Sequence, residues 1–120
     1  EHINEFEKDY SEYIAAIRKI NPACKIIICS PLDMVIATEG LSAERQKDLS
    51  GRRPRIWELR KRIKKIAKAE HLYFLDLTKP FKGKPNLMTK ADGVHPNREG
   101  YEYLANLVYK FMRKKHIVIK

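Results

Sequence analysis

Several features that would assign this sequence to a common functional class are missing from it. Its 120 residues include only two cysteines and one tryptophan, and no apolar run reaches the ~18 residues that a membrane-spanning helix needs. No signal peptide is visible, but the chain opens on Glu1 rather than on methionine, so we expect it to be a piece of a longer protein. The missing signal therefore leaves the compartment unknown.

The cysteines are too few for a disulfide framework. Cys24 and Cys29 lie five residues apart on or beside a predicted strand. Their side chains are therefore expected to point to opposite faces, which disfavours a disulfide between them. Without a third cysteine or a CxxC pattern they do not predict a metal site. We interpret both as small buried residues, and unpaired thiols favour a reducing compartment such as the cytoplasm without excluding secretion.

The formal net charge is +10, and much of the excess lies in residues 51–70, "GRRPRIWELRKRIKKIAKAE". Apolar residues recur there at spacings of three and four, which predicts a basic helix over 52–69 with one apolar stripe. A solvated outer face explains the charge, and the alternative is a surface for an anionic polymer. Trp57 is the one aromatic residue in this stretch, so no base-stacking platform accompanies the charge and nucleic acid is a disfavoured partner.

Helical and strand patterns alternate along the rest of the chain. Residues 34–54 are polar and without strong periodicity, and we interpret them as a loop in which Ser42 could cap a short helix over 42–49. The C-terminal "HIVIK" is compatible with a short strand. The main predicted elements are helix 3–20, strand 25–29, helix 52–69, strand 72–77 and helix 97–114.

Strands separated by helices predict right-handed crossovers and a parallel sheet in a single α/β domain over 1–120. Ligand sites in such sheets lie beyond the carboxyl ends of the strands. The loops that hold Ser30, Asp33 and His95 would then open on one edge of the sheet.

A carboxylate placed three residues before a histidine is the clearest chemical signal. Gly93 permits a tight turn between Asp92 and His95, and Asn97 is a good N-cap for the helix that follows Pro96. In such a turn the carboxylate could accept the Nδ1–H of the imidazole and leave Nε2 free to take a proton. The alternative is a turn aspartate and a loop histidine that only cap the helix.

The segment "DGVHPNREGYEYLA", residues 92–105, resembles the last motif block of the SGNH, or GDSL-type, esterase and acylhydrolase family. "EFEKDYSEYIAAIRKINPACKIIICSPLD" and "RIWELRKRIKKIAKAEHLYFLDL" resemble the preceding helices and strands of that fold. The resemblance implies the C-terminal half of a three-layer α/β/α, flavodoxin-like domain with a parallel sheet. It also implies that Asp92 and His95 are catalytic and that no metal or organic cofactor is needed.

The part of the family pattern that contains the catalytic nucleophile is missing from this sequence. The family uses a serine in a G-D-S turn, with oxyanion donors from that turn, from a glycine block and from a G-x-N-D block. None of these occurs here, and the serines present are Ser11, Ser30, Ser42 and Ser50. The chain is then a fragment, a truncated piece or a degenerate member kept for binding. A fragment would need the missing N-terminal segment, or another copy of itself, to cover its sheet.

The expected function is serine-dependent ester hydrolysis, with carbohydrate O-acetyl esters or simple acyl esters as substrates. The alternative is a catalytically silent basic module that binds an anionic polymer. Ser30 as a substitute nucleophile and Arg52 or Arg53 as contacts for an anionic substrate are weaker hypotheses than structural roles. Asp76 is expected to hold a loop. The other histidines, His2, His71 and His116, form with His95 no spacing typical of a zinc site.

Overall fold

Helices cover both faces of a short parallel sheet. The structure, a computed structural model, describes residues 5–90 and 92–117. In these residues the elements are α1 (Phe6–Ile20), β1 (Ile27–Cys29), α2 (Ala43–Glu70), β2 (Tyr73–Leu75) and α3 (Arg98–Lys114), with 3₁₀ turns at Lys79–Phe81 and Pro85–Leu87. No helix of this described part is long and apolar enough to cross a membrane.

The two strands pair in parallel, with Ile28 opposite Phe74. A parallel pair needs a crossover connection, and α2 supplies it. One sheet face packs against α1 and α2 in a core of buried residues, Ile14, Ile28, Ile63, Ile66 and Ala67. On the other face Tyr73 meets Phe111 of α3 edge-on, with ring centroids 6.4 Å apart. The predicted α/β class with a parallel sheet is confirmed.

The predicted loop over residues 34–54 is wrong in its second half. Ser42 does cap a helix, because its side chain accepts a hydrogen bond from the backbone N–H of Arg45 at 3.1 Å. That helix is α2, which continues through Pro54 to Glu70. A proline in the interior of a helix removes one backbone hydrogen bond. Tertiary contacts on the residues before Pro54 act against a break there, since Leu49 is fully buried and Arg53 bonds Asp33.

The prediction that both cysteines are buried is also wrong, because Cys24 and Cys29 are exposed and free. Cys24 lies in the turn after α1, and Cys29 ends β1 on the sheet face that α3 covers in part. In a sheet of two strands each strand has one edge without a neighbour, so a side chain at the strand end remains accessible to solvent. The predicted strand at 116–120 falls mostly on residues 118–120, which lie outside the described residues.

A second core holds the segment after β2 against α3. Val35, Phe81, Leu87 and Met88 are buried together, and Tyr103 of α3 contacts the Phe81 ring edge-on at 5.2 Å between centroids. α3 can approach this segment closely because position 100 is glycine. A Cβ there would overlap the backbone carbonyl of Leu87 and lie 2.7 Å from the Cβ of Pro96.

Two glycine substitutions are therefore expected to have opposite effects on stability. Gly100→Ala should destabilise the protein by about 1–3 kcal/mol or more, because a backbone carbonyl cannot move aside cheaply. Gly51→Ala, inside α2 with open space around it, should stabilise by about 0.5–1 kcal/mol. Urea unfolding of the two variants measures both effects. Equal stability of the two variants would show that α3 does not pack as described.

Candidate functional site

The turn between Asp92 and His95 brings the two side chains together. Nδ1 of His95 lies 2.6 Å from Oδ2 of Asp92. Gly93 between them has a φ of 66°, a left-handed conformation that glycine adopts without steric cost. Oδ1 of Asp92 accepts hydrogen bonds from the backbone N–H groups of Val94 at 3.0 Å and His95 at 3.1 Å. The geometry fixes the imidazole relative to the carboxylate.

The imidazole lies on the rim of the protein. The side chain of His95 is 70% exposed, whereas that of Asp92 is 30% exposed. Nε2 of His95 makes no hydrogen bond to any described residue. With the Nδ1 proton directed at the carboxylate, Nε2 would carry the lone pair that takes up a proton from an incoming group.

Three neighbouring segments hold this turn in place. Thr89 donates its hydroxyl to Oδ1 of Asp92 at 2.7 Å, and its N–H to the carbonyl of His95 at 2.8 Å. Nε of Arg45 in α2 donates to the carbonyl of Asp92 at 3.2 Å. Val35, on the loop after β1, donates its N–H to the carbonyl of Gly93 at 3.0 Å. As expected, the loop that follows the carboxyl end of β1 meets the histidine loop.

Sequence reasoning missed Thr89 and Arg45. Thr89 precedes Asp92 by three residues, a spacing at which a hydroxyl can reach the carboxylate across a turn, so a local signal was present. Arg45 comes from a helix 47 residues away, and only the fold brings it here.

Hydrogen bonds keep Asp92 ionised. Partial burial acts to raise the pKa of its carboxyl group. The hydroxyl of Thr89, the backbone N–H of Val94 and the two donors of His95 outweigh burial and hold that pKa well below its usual range. The carboxylate is therefore a negative charge next to the imidazole at every physiological pH.

A cleft of about 460 Å³ lies beside this turn. Thr89, the partner of Asp92, and Asn97, the N-cap of α3, both line it, together with Thr38 and Asn86. Asn97 is held there because Nδ2 donates to the carbonyl of Asn86 at 2.8 Å, while Oδ1 accepts the N–H of Gly100 at 2.9 Å. The hydroxyl of Thr89 and the amide of Asn97 are thus engaged within the protein, and apolar Pro85 and Met88 also line the cleft.

Ser30 has a structural role. It is 2% exposed, and its hydroxyl oxygen accepts the backbone N–H groups of Leu77 at 2.9 Å and Thr78 at 3.2 Å. The same hydroxyl donates to Asp76 at 3.2 Å. Ser30 therefore joins the two strand ends, and its burial argues against attack on a substrate.

Asp76 holds a loop, as expected. Its Oδ1 accepts the backbone N–H groups of Thr78 at 3.0 Å and Lys79 at 3.2 Å, and Oδ2 bonds Nη2 of Arg60 at 2.7 Å. Burial acts to raise the pKa of this carboxyl group, but the hydrogen bonds from Arg60, Lys79 and Thr78 lower it overall. Asp76 is occupied by these contacts and is not a candidate for catalysis.

The two arginines at positions 52 and 53 differ in their exposure and in their partners. Arg52 forms an exposed pair with Asp48. Arg53 bonds both carboxylate oxygens of Asp33, whose side chain is fully buried, and Nε1 of Trp57 donates to the same carboxylate at 3.1 Å. The sequence did not indicate this buried ion pair.

The histidines other than His95 form no metal site within the described residues, and the lysines of α2 lie on its outer face. Lysines along the outer face of α2, Lys61, Lys64, Lys65 and Lys68, are exposed, as a solvated face requires; the anionic-polymer alternative stays a prediction. His71 is the left-handed C-cap of α2, and His116 follows α3. His2 lies outside the described residues. Among residues 5–90 and 92–117, no group of three or more His, Cys, Asp or Glu side chains could hold a metal ion.

Known proteins resemble this chain in sequence and fold. A sequence model of the GDSL-like Lipase/Acylhydrolase family matches residues 1–103. The fold is similar to the esterase domain of the ZfL2-1 ORF1 protein from the zebrafish ZfL2-1 retrotransposon, with a TM-score of 0.73 and 25% identity over 92% of this chain and 59% of that one. It is also similar to a GDSL-like lipase from Bacteroides thetaiotaomicron, with a TM-score of 0.60 and 24% identity over 91% of this chain and 53% of that one.

The chain thus spans between half and two thirds of the length of these two structures. A search of curated proteins gives no match.

The low pKa of Asp92 predicts an acid-dependent loss of stability. Because the folded-state pKa lies below the ordinary value of about 3.9, ionised Asp92 stabilises the native state above that value. The contribution is lost as the pH falls through it toward the folded pKa. Asp92→Asn should therefore be less stable than the parent chain at pH 6, and the difference should shrink at pH 3.

Thermal unfolding at both pH values measures this difference. Asp9→Asn, at an exposed position of α1, is the matched control and should follow the parent chain. A difference for Asp92→Asn that stays constant with pH would contradict the assigned hydrogen bonds.

Proposed function

This chain belongs to the GDSL-like lipase/acylhydrolase family, and we propose that it supplies the acid–base pair of an ester hydrolase. Asp92 would orient His95, and His95 would move the protons. The observation that supports this role is the 2.6 Å contact between Nδ1 and the carboxylate, which leaves Nε2 without a partner among the described residues and accessible on the rim.

The proposed mechanism needs a serine that these 120 residues do not place beside His95. No G-D-S turn occurs in the sequence, and the chain spans 59% of the zebrafish esterase domain. The serine and its oxyanion donors would come from protein outside this sequence. As the serine oxygen attacks the ester carbonyl, Nε2 of His95 would take its proton and then give that proton to the leaving alcohol.

A water molecule would then hydrolyse the acyl-serine, with His95 again as base. Asp92 would stay ionised throughout, because its hydrogen bonds hold its pKa low. It would stabilise the imidazolium that forms in each half of the reaction. No metal ion or organic cofactor takes part in this scheme.

Carbohydrate O-acetyl esters are the proposed substrates, ahead of simple acyl esters. A histidine that is 70% exposed can reach an ester on a bulky alcohol without burying that alcohol. The adjoining cleft places the polar side chains of Asn86, Glu39 and Lys90 next to apolar Pro85 and Met88, a combination that suits the hydroxyls and the carbon face of a sugar ring.

Substitutions in the pair test the mechanism in the longest open reading frame that contains these 120 residues. His95→Ala should lower kcat/KM for p-nitrophenyl acetate by about 10⁴–10⁶-fold and Asp92→Asn by about 10⁴-fold, because a triad loses its base or its base's orientation. His71→Asn, a histidine position that tolerates asparagine in its left-handed conformation, should leave the rate unchanged.

The isolated 120-residue chain is the second arm of this experiment. It should hydrolyse the ester no faster than free imidazole does, because loss of even one oxyanion donor costs about 10²–10³ in rate. Rapid hydrolysis by the isolated chain, abolished in His95→Ala, would place the nucleophile within these residues and contradict the scheme. Full activity of His95→Ala in the longer protein would contradict the role of the pair.

We also propose that the sheet takes up further strands from a covering partner, either an N-terminal segment of the protein or another copy of the chain. β1 and β2 pair only with each other in the described residues, so each has an open edge. Such edges are templates for pairing. Tyr13 and Ile20 of α1 are 67% and 85% exposed, which adds uncovered apolar surface nearby.

Sedimentation of the isolated chain tests this proposal. We expect a dimer or larger species, or a chain that melts without a sharp transition, and we expect a longer polypeptide with the covering segment to be monomeric. A monodisperse, cooperatively melting monomer of 120 residues would contradict the need for a partner.

A further inference from the structure

A second, smaller cleft lies next to Arg53 and Lys82, two of the cations that contact the single tryptophan of the chain. Its volume is about 270 Å³, below the ~300–1,000 Å³ of pockets for drug-sized ligands. Residues 34–37, Met-Val-Ile-Ala, form an apolar wall, and Arg53 and Lys82 provide the charged end. None of residues 92–95 lines this cleft, but Ala37 also lines the larger cleft and Val35 also bonds the carbonyl of Gly93.

Three cations surround the ring of Trp57. The guanidinium carbons of Arg53 and Arg60 lie 5.9 and 5.5 Å from the ring centroid, and Nζ of Lys82 lies 5.6 Å from it. The negative face of an indole attracts each of them. Like charges held this close repel one another unless carboxylates offset them.

Two of the three cations have such a carboxylate. Arg53 bonds Asp33, and Arg60 bonds Asp76. Lys82 forms no ion pair with any described residue, and its side chain contacts Trp57. One positive charge therefore remains uncompensated.

The Arg53 guanidinium is held by Asp33, but one of its three nitrogens remains available as a hydrogen-bond donor. Nε and Nη2 bond Asp33 at 2.8–3.2 Å, so the guanidinium cannot turn away. Within the described part of the chain Nη1 has no hydrogen-bond partner. The group is 32% exposed and lines the cleft. It is a positioned donor of the kind that binds a carboxylate without further reorganisation.

We propose that this cleft binds a short-chain carboxylate. The carboxylate lies between Lys82 and Nη1 of Arg53, and its alkyl chain lies on the wall of residues 34–37. A monoanion matches the one uncompensated charge, and the small volume suits a short alkyl chain. The proposal is independent of the esterase function, since it uses neither Asp92 nor His95.

Trp57 allows a direct test, because it is the only tryptophan among the 120 residues. The chain is titrated with sodium hexanoate at constant ionic strength while its fluorescence is followed. We expect a saturable change with hexanoate, a weaker affinity for acetate, and no saturable change with 1-hexanol. No saturation with hexanoate, or equal affinity for hexanoate and either control, would overturn the proposal.

Substitutions locate the binding site. Lys82→Gln should weaken hexanoate binding by about tenfold or more, the effect of removing one charged hydrogen-bond donor. Lys84→Gln, at an exposed lysine two residues away, is the matched control and should bind as the parent chain does. The side chain of Lys82 makes no hydrogen bond or ion pair with the described residues, and far-UV circular dichroism checks that the variant is folded.

A substitution in the apolar wall distinguishes the contribution of the alkyl chain from that of the carboxylate. Ile36→Ser should weaken hexanoate binding and leave the affinity for acetate unchanged, since acetate does not reach the wall. Unchanged hexanoate affinity in Lys82→Gln, or equal losses in Lys82→Gln and Lys84→Gln, would show that the carboxylate does not bind in this cleft.

Discussion

The carboxylate of Asp92 organises the part of the molecule in which chemistry is proposed. It accepts four hydrogen bonds, from the hydroxyl of Thr89, the backbone N–H groups of Val94 and His95, and Nδ1 of the His95 ring. Charge-assisted hydrogen bonds of this kind are about twice as strong as neutral ones. Together they outweigh the cost of partial burial, keep the group ionised and set the direction of the imidazole.

The remainder of the fold supports that turn from a distance. Gly93 is buried under the loop after β1, and a Cβ there would lie 2.9 Å from both the carbonyl of Val35 and a methyl group of Leu41. Arg45 reaches the carbonyl of Asp92 from α2. The helix that crosses from β1 to β2 thus also braces the turn.

Local sequence patterns predicted the structural features that depend on residues close together in the chain. The Asp92–His95 contact and the caps at Ser42 and Asn97 follow from spacing and turn chemistry over a few residues. The parallel pairing follows from the alternation of helices and strands along the chain. Burial could not be predicted in the same way. Cysteine is a residue type that is usually buried, but Cys29 is exposed because it ends a strand with an open edge.

Long-range partners were equally hidden from the sequence. Asp33 and Arg53 are 20 residues apart on a loop and a helix, and nothing in their separation indicates a buried pair. That pair and the buried Leu49 flank Pro54, where α2 continues although local propensity at a proline predicts a break.

The central claim is that Asp92 fixes the tautomer of His95, with the proton on Nδ1 and the lone pair on Nε2. Nitrogen-15 NMR of histidine-labelled protein tests it most directly, at a pH where the imidazole is neutral. The account predicts a protonated Nδ1, a bare Nε2 and a strongly deshielded Nδ1 proton that is lost in Asp92→Asn. A neutral His95 protonated on Nε2, with a spectrum unchanged in Asp92→Asn, would contradict it.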